Sequence, residues 1–169
     1  MAQAKAKALA VRDKPKLYRV GRSRTGLGLF ATADIPSGKL LIEYTGTRIP
    51  TREAREIDRR RANKYLFEID NRWTIDGKAR TNIARYVNHS CDPNTEAESN
   101  RGRMMFRTVR KIAAGEEITL DYGEEHMELY FGPGGCRCDV CRAEKRRKRP
   151  KTARPPRQTP KAGSRRPMT

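Results

Sequence analysis

The sequence lacks long apolar runs, and its hydrophobic content of 36% over 169 residues is low for a globular protein. No run approaches the length of a membrane span, so we predict no membrane association. Residues 1–16 are rich in Ala and Lys and lack the apolar centre of a secretory signal. The chain is long enough for one domain with a core, and its polarity predicts disordered segments beside that domain.

Cysteine is also scarce, and its placement is informative. Three of the four cysteines fall within residues 136–141, which read CRCDVC, and the fourth is Cys91. A disulfide framework would scatter its cysteines along the chain. Clustered cysteines without a secretory signal instead indicate metal ligation in a reducing compartment. We therefore expect an intracellular protein.

Positive charge is concentrated at the two ends of the chain. Residues 1–24 hold eight Lys/Arg and one Asp, and residues 142–169 hold twelve Lys/Arg and one Glu. The ends thus carry +7 and +11 of the net charge of +18, and the part between them is neutral. Polycationic ends of this kind bind phosphates without reading sequence, so we expect non-specific nucleic-acid affinity. A merely solubilising tail is the alternative.

Between the ends, short apolar or alternating stretches predict strands. Residues 23–31 contain Gly26 and Gly28 just before an apolar strand, where glycine lets the backbone approach a ligand closely. The other predicted strands are residues 17–20, 39–44, 65–69, 73–76, 95–98, 103–109 and 116–122. Two pairs among them, 65–69 with 73–76 and 95–98 with 103–109, are expected to form hairpins.

Helical patterns are few. One helix is predicted over residues 52–63 with Thr51 as its N-cap, and a short one over residues 124–130. Residues 132–135 are expected to act as a glycine-rich hinge. Many short strands with one or two helices describe a β-rich α+β domain.

Two motifs concentrate polar chemistry. Residues 85–94 read RYVNHSCDPN, a loop in which Pro and short amides favour tight turns. Residues 116–123 read EEITLDYG. Together these motifs resemble those of SET-domain protein-lysine methyltransferases, and the resemblance covers about residues 18–141. It implies a SET fold of several short sheets with a pseudoknot between the two motifs.

The resemblance also implies a domain organisation. A basic N-terminal tail would occupy residues 1–16, the SET domain residues 17–123, a zinc-binding post-SET segment residues 124–144, and a disordered polybasic tail residues 145–169. The short flanks look like those of compact prokaryotic or viral members. The location would then be the cytoplasm or nucleoid in a prokaryote, and the nucleus or chromatin in a eukaryote or a virus.

Roles for individual residues follow from the same resemblance. Tyr122 would be the catalytic tyrosine that orients the lysine amine, and it would also contact S-adenosylmethionine (SAM). The other predicted cofactor-binding residues are Gly26, Leu27, Gly28, Asn88 and His89. The lysine channel would be walled by Tyr44 and Tyr65, counted with Tyr122 as catalytic, and by Phe67 and Leu120. His126 has no motif around it and is expected to be exposed, and Asp121 is expected to be structural.

The cysteines would hold one structural Zn²⁺ in the family's manner. The predicted ligands are Cys91, Cys136, Cys138 and Cys141, four thiolates in a closed tetrahedral site. The last two cysteines are separated by two residues, where the familiar eukaryotic pattern has four. Free thiols are the alternative.

The predicted function is therefore SAM-dependent methylation of lysine in a basic, DNA-associated protein such as a histone or nucleoid protein. Automethylation of the basic tail is a further expectation. One alternative is an inactive SET core that serves as a nucleic-acid-binding architectural protein. Another is a zinc-dependent DNA-binding module, which the complete pair of motifs disfavours.

Overall fold

A computed structural model describes residues 16–61, 63–132 and 135–148. Within these ranges the strands are β1 (Tyr18–Ser23), β2 (Gly26–Ala31), β3 (Leu40–Tyr44), β4 (Thr47–Pro50), β5 (Leu66–Glu68), β6 (Trp73–Asp76), β7 (Asn88–His89), β8 (Thr95–Asn100), β9 (Arg103–Thr108) and β10 (Glu117–Leu120). The helices are α1 (Thr51–Arg61), α2 (Glu124–Phe131) and α3 (Asp139–Lys148), with a 3-10 turn at Ile83–Tyr86. The prediction of a β-rich α+β fold is confirmed.

The strands form two sheets. The larger has the order β1-β2-β10-β8-β9-β3, and β7 also pairs with β10. The smaller has the order β4-β6-β5. Strand β10 is the last in the chain, yet it lies in the middle of the larger sheet, antiparallel to β2 and parallel to β7 and β8. This position brings the two sequence motifs together.

Both predicted hairpins are confirmed. In one, β5 pairs with β6 with Phe67 opposite Ile75, and in the other β8 pairs with β9 with Ala97 opposite Phe106. The positions of Gly26 and Gly28 differ from the expectation that they precede the strand. Gly26 is the first residue of β2, and Gly28 lies within it. The alternation is clearest in β9, where Met104, Phe106 and Thr108 are buried and the residues between them are not.

Two turns of similar sequence lie side by side in the core. Ile35 and Ile112 exchange backbone hydrogen bonds of 2.8 and 2.9 Å, and both side chains are fully buried. The hydrophobic core continues from this bridge along one face of the larger sheet, where Ile118 lies opposite Leu29 and Ile42 opposite Phe106. Its buried members are Leu29, Ala31, Ile35, Ile42, Tyr44, Ile75, Ala84, Val87, Met104, Phe106, Ile112, Ile118 and Leu120.

The start of α1 corrects one prediction. Thr51 is the first residue of the helix rather than its N-cap, and its hydroxyl lies 3.1 Å from the carbonyl oxygen of Asp70 and 3.1 Å from the hydroxyl of Thr74. Thr51 and Ala54 are both buried, so the helix packs on the small sheet through this narrow face. The hydroxyl therefore anchors the helix to the hairpin.

The C-terminal end corrects another prediction. The short helix expected at residues 124–130 is present as α2, but a third helix, α3, continues to Lys148. It runs past residue 145, where the disordered tail was expected to begin. The predictions for residues 1–15 and 149–169 lie outside the described residues. Among the helices that the structure describes, none is long and apolar enough to cross a membrane.

Candidate active site and metal centre

A cleft of about 1780 Å³ lies between the two sheets and residues 124–148, here called the C-terminal segment. Most of the residues predicted for the site line this cleft. Those lining it are Leu27, Tyr44, Tyr65, Phe67, Asn88, His89, Leu120, Tyr122, Cys136 and Cys138. Gly26 and Gly28 flank Leu27 on β2.

The loop of the first motif is fixed to β10 by backbone and amide hydrogen bonds. Asn88 and His89 pair in parallel with residues 119 and 120. The fully buried Asn94 donates from Nδ2 to the carbonyl of Glu117 at 2.8 Å and accepts at Oδ1 from the N–H of Thr119 at 2.8 Å. The pairing of these two segments is what the predicted pseudoknot requires, and it makes a rigid platform of the loop.

Tyr122 follows β10 directly and is held by the first motif. Its hydroxyl donates to the carbonyl oxygen of Val87 at 2.6 Å, and its backbone N–H donates to Nδ1 of His89 at 3.2 Å. Burial raises the pKa of Tyr122 above its ordinary value. The side chain is therefore a neutral phenol whose oxygen keeps its lone pairs for a further donor.

His89 joins Tyr122 to the cysteine cluster. Because a backbone N–H can only donate, Nδ1 of His89 must be an acceptor and the ring proton lies on Nε2. That Nε2 lies 3.3 Å from Sγ of Cys91. Burial lowers the pKa of His89 and outweighs the opposing effect of Asp121, which favours the neutral ring. The His89 side chain is only 7% exposed.

Asn88 connects the first motif to β2. Its Nδ2 donates to the carbonyl of Leu27 at 3.0 Å and to Oε1 of Glu117 at 2.7 Å. The structure explains why residue 28 is a glycine, which the sequence did not. A Cβ at this position would lie 2.4 Å from Oε1 of Glu117. Leu27 and Asn88 thus meet at one corner of the cleft, and Gly26 and Gly28 adjoin Leu27 in the chain.

Aromatic rings form the neighbouring wall. Tyr44 is buried, its hydroxyl donates to the carbonyl of Tyr65 at 2.8 Å, and its ring centroid lies 5.2 Å from that of Phe67. Burial raises the pKa of Tyr44. Gly77 makes room for this ring, since a Cβ there would lie 2.3 Å from it. Leu120 belongs to the hydrophobic core and also lines the cleft.

Tyr65 has a more polar setting than Tyr44. The guanidinium carbon of Arg85 lies 4.0 Å from the centroid of the Tyr65 ring, a cation–π contact. Burial raises the pKa of Tyr65, but hydrogen bonds and charges from Arg85 and Lys64 outweigh it and lower the pKa overall. The hydroxyl of Tyr44 holds the chain at Tyr65, and both residues line the cleft.

His126 corrects the expectation that it is simply exposed. Its ring meets Tyr122 edge-on with centroids 5.0 Å apart and lies 4.6 Å from the centroid of Tyr130. The sequence carried a signal for part of this cluster, because His126 and Tyr130 are spaced four apart on α2, which places them on one helical face. Asp121 accepts from the N–H of Gly123 at 2.9 Å, as expected of a structural residue.

The four cysteines converge at the edge of the cleft. Their sulfur atoms all lie within 4.8 Å of one another, and those of Cys91 and Cys141 are 3.5 Å apart. Four thiolates at about 2.3 Å from one Zn²⁺ would be about 3.8 Å apart, so the cluster fits a tetrahedral zinc site. Burial and the neighbouring thiols raise the pKa of Cys91, because crowded thiolates repel one another. A divalent cation removes that repulsion.

Three residues that position the site were not identified from the sequence. Asn94 and Glu117 belong to the quoted motifs, but nothing in their spacing distinguishes a buried clamp from a surface turn. His126 had a readable spacing that was not used. Asn94 and Glu117 act through contacts between segments far apart in the chain, which a local pattern does not show.

Comparison with known proteins agrees with the geometry. The family model described as the SET domain matches residues 26–123. The chain is 33% identical over 140 residues to histone-lysine N-methyltransferase EHMT1 of Homo sapiens, covering 76% of this chain and 10% of that protein. It is 35% identical over 126 residues to the H3 lysine-4 specific histone-lysine N-methyltransferase of Saccharomyces cerevisiae, covering 65% of this chain and 12% of the relative. The chain therefore spans only a small part of these relatives.

A solved structure gives the same result. A humanized mutant of the Chaetomium thermophilum Polycomb Repressive Complex 2 aligns with a TM-score of 0.56 and 33% identity, covering 64% of this chain and 15% of that one. The family match covers more than half of the 169 residues and includes β2, the motif loop and Tyr122. The chain belongs to the SET domain family.

Proposed function

We propose that the protein is a SAM-dependent protein-lysine N-methyltransferase. The observation that carries the proposal is the placement of Tyr122, whose hydroxyl is fixed inside the cleft by its 2.6 Å hydrogen bond to Val87. Membership of the SET family supports it, as do relatives named as histone-lysine N-methyltransferases.

Methyl transfer to lysine requires a neutral amine. At pH 7, deprotonating an ordinary lysine costs roughly 4–5 kcal/mol. An apolar channel lowers that cost because burial disfavours the charged amine. The rings of Tyr44 and Phe67, beside the buried Phe106, provide such a wall. The chain then needs to orient the amine and exclude water rather than supply a strong base.

Tyr122 is the orienting group in this proposal. Its O–H is committed to Val87, so its oxygen accepts from an N–H of the amine and turns the nitrogen lone pair toward the reacting carbon. The raised pKa keeps the phenol protonated at neutral pH, which preserves the hydrogen bond to Val87. Bound SAM would supply an electrophilic methyl group on a sulfonium. Leu27 and Asn88 would hold this cofactor at their corner of the cleft, with Gly26 and Gly28 shaping the strand.

The cysteine cluster has a structural role in this proposal. Cys91 lies in the motif loop, whereas Cys136, Cys138 and Cys141 belong to the C-terminal segment. A Zn²⁺ held by all four would join the segment to the loop that carries Asn88 and His89. It would thereby complete the cleft without touching the reacting atoms.

We propose a lysine of a basic, DNA-associated protein as the substrate and chromatin as the location. The named activities of the relatives support a histone. Charge adds an argument, because an extension of +11 repels a free basic peptide. Nucleic acid between enzyme and substrate removes that repulsion by binding both, and the polybasic end would supply this affinity. The same end contains four lysines and is a candidate for automethylation.

Product multiplicity is a finer part of the proposal. Leu120 lies two residues before Tyr122, where the family often carries Phe or Tyr. A tyrosine there can hold a water that obstructs further methylation, whereas leucine offers no hydrogen bond. We expect products beyond monomethyl-lysine from the wild type, and predominantly monomethyl-lysine from Leu120→Tyr. Mass spectrometry of a methylated peptide under excess SAM tests this, and wild-type products that stop at monomethyl-lysine would contradict it.

The test of the activity is methyl transfer from radiolabelled SAM to core histones, to free histone peptides and to the protein itself. Tyr122→Phe is the matched control, and mass spectrometry locates the labelled lysines. A protein that binds DNA but transfers no label to any of these would support the architectural alternative.

The role of the polybasic end is tested separately by removing residues 149–169, which leaves α3 intact. We expect salt-sensitive DNA binding to fall while methylation of a short free peptide is retained. Unchanged DNA affinity at low salt would contradict the tethering role. That result would leave the proposed catalytic activity standing.

A further inference from the structure

Glu117 lies in β10 opposite Phe30 of β2, close to the residues proposed to bind the cofactor. Its carboxylate accepts from the hydroxyl of Ser23 at 2.9 Å and from Nδ2 of Asn88 at 2.7 Å. The missing side chain of Gly28 leaves the space that the carboxylate occupies. Three separate segments of the chain are thus arranged around one carboxylate.

This arrangement fixes which end of the Asn88 amide is free. The carbonyl oxygen of Leu27 and the carboxylate of Glu117 can only accept hydrogen bonds, so the atom facing both must be the nitrogen. Both amide hydrogens of Asn88 are then used within the protein. The amide oxygen is left as the acceptor that Asn88 offers at its corner of the cleft.

We propose that Glu117 is a positioning residue of the cofactor site, and this rests on the proposed function. It holds the amide of Asn88 so that its oxygen is presented to a hydrogen-bond donor of the bound cofactor. Gly28 is required because its Cβ would displace the carboxylate. Glu117 acts through Asn88 and does not itself contact the reacting atoms.

The first test measures binding of S-adenosylhomocysteine by titration calorimetry with the full-length, zinc-loaded protein. Glu117→Ala is expected to weaken binding about tenfold, because Asn88 loses a charge-assisted hydrogen bond and its amide can rotate. Steady-state assays should show a similar rise in KM for SAM with kcat changed by less than about twofold. Glu43→Gln, which alters a carboxylate bonded to Arg103 away from the cleft, is the control and should match the wild type.

A double-mutant cycle separates positioning from a general structural effect. If Glu117 acts through Asn88, the variant that combines Asn88→Ala with Glu117→Ala should bind no more weakly than Asn88→Ala alone. Additive losses would overturn the proposal. Glu117→Ala binding as tightly as the wild type would also overturn it.

Two milder variants keep the test informative if Glu117→Ala folds poorly. Glu117→Gln retains an acceptor for Asn88 and should restore binding to within about threefold of the wild type. If Glu117→Gln binds S-adenosylhomocysteine as weakly as Glu117→Ala does, the positioning role of Glu117 is overturned. The charge of Glu117 would then affect binding directly. Gly28→Ala should reproduce the loss seen with Glu117→Ala, and unaffected binding would contradict the role assigned to Gly28. Failure of the wild type to bind S-adenosylhomocysteine would instead count against the proposed function.

Discussion

The two sides of the cleft are built differently. On the sheet side, Tyr122 follows a strand whose residues Ile118 and Leu120 are buried and whose backbone pairs with three other strands. On the other side, α2 and α3 bury none of their described side chains. One wall is thus part of the hydrophobic core. The other is held by individual contacts, chiefly Tyr130 with Asp58, Arg24 with Asp139, and the four cysteines.

This difference indicates a division of labour. In the proposed function, the sheet would fix the reacting geometry through backbone hydrogen bonds, which a point change in the C-terminal segment leaves intact. The C-terminal segment would close the cleft and would depend on the proposed metal and a few side chains. Damage to the sheet side should therefore reduce turnover, and damage to the C-terminal segment should weaken binding.

The largest effect is expected from Tyr122→Phe. Removing the hydroxyl removes the orienting oxygen, so turnover should fall by about 100-fold or more. Binding of S-adenosylhomocysteine should stay close to that of the wild type, because the fold around Val87 and Asn88 is retained. Single-turnover kinetics and calorimetry measure the two quantities. Turnover near the wild-type value would show that the sheet wall does not carry the chemistry.

Loss of the metal should have the next largest effect. Cys136→Ser is expected to lower metal affinity by about 10- to 100-fold and to weaken binding of cofactor and peptide, with little change in the melting of the sheet. Elemental analysis of protein purified without chelator should give one zinc per chain for the wild type. A control uses chelator followed by added zinc, which should restore binding. Cooperative loss of the whole fold with the metal would contradict the division between the two walls.

A smaller effect should follow from Tyr130→Phe. The phenol donates to the carboxylate of Asp58 and links α2 to α1. Losing this bond should cost about 0.5–1.5 kcal/mol of docking free energy, seen as a few-fold rise in KM for the peptide with kcat retained. Tyr18→Phe, on the distant strand β1, is the matched control. A fall in kcat without a change in KM would place Tyr130 on the catalytic side instead.

The smallest effect should come from pH. Burial lowers the pKa of His126 from 6.5. The charge of Asp58 raises this pKa to a smaller extent, and the charges of His89 and Lys64 lower it further. As the pH falls below 6.5, the undocked segment binds more protons than the docked one. Docking of α2 should therefore weaken on acidification and be complete above pH 6.5.

Amide exchange in α2 between pH 5 and pH 8 measures this docking. His126→Phe keeps a ring against Tyr122 and Tyr130 but cannot be protonated, so it should remove most of the pH dependence. Equal pH dependence in both proteins would assign the effect to another group. His89 is the first to test, because burial also lowers its pKa.

The two walls also differ in how well the sequence predicts them. Alternating residues in β9 reveal its buried face, and the two motifs bring Tyr122 and Asn88 to one place. Helix α3 was not predicted, because its sequence DVCRAEKRRK is mostly charged and lacks an apolar stripe. It begins at Asp139, which contacts Arg24, and carries Cys141 in its first turn. Local propensity supports the helix, since Ala, Glu, Lys and Arg are good helix formers and Glu144 pairs with Lys148 one turn later.

The position of β10 has a consequence for biosynthesis. This strand fills the gap between β2 and β8 but is the last strand to leave the ribosome. Until residues 117–120 emerge, β2 and β8 each present an unpaired edge, and such edges recruit other chains. A nascent chain interrupted before Ile118 would hold both hairpins yet lack the strand that joins them. The sheet is therefore complete only after the motif that carries Tyr122 has been synthesised. Truncated products would expose unpaired strand edges and would be prone to aggregation or to capture by chaperones.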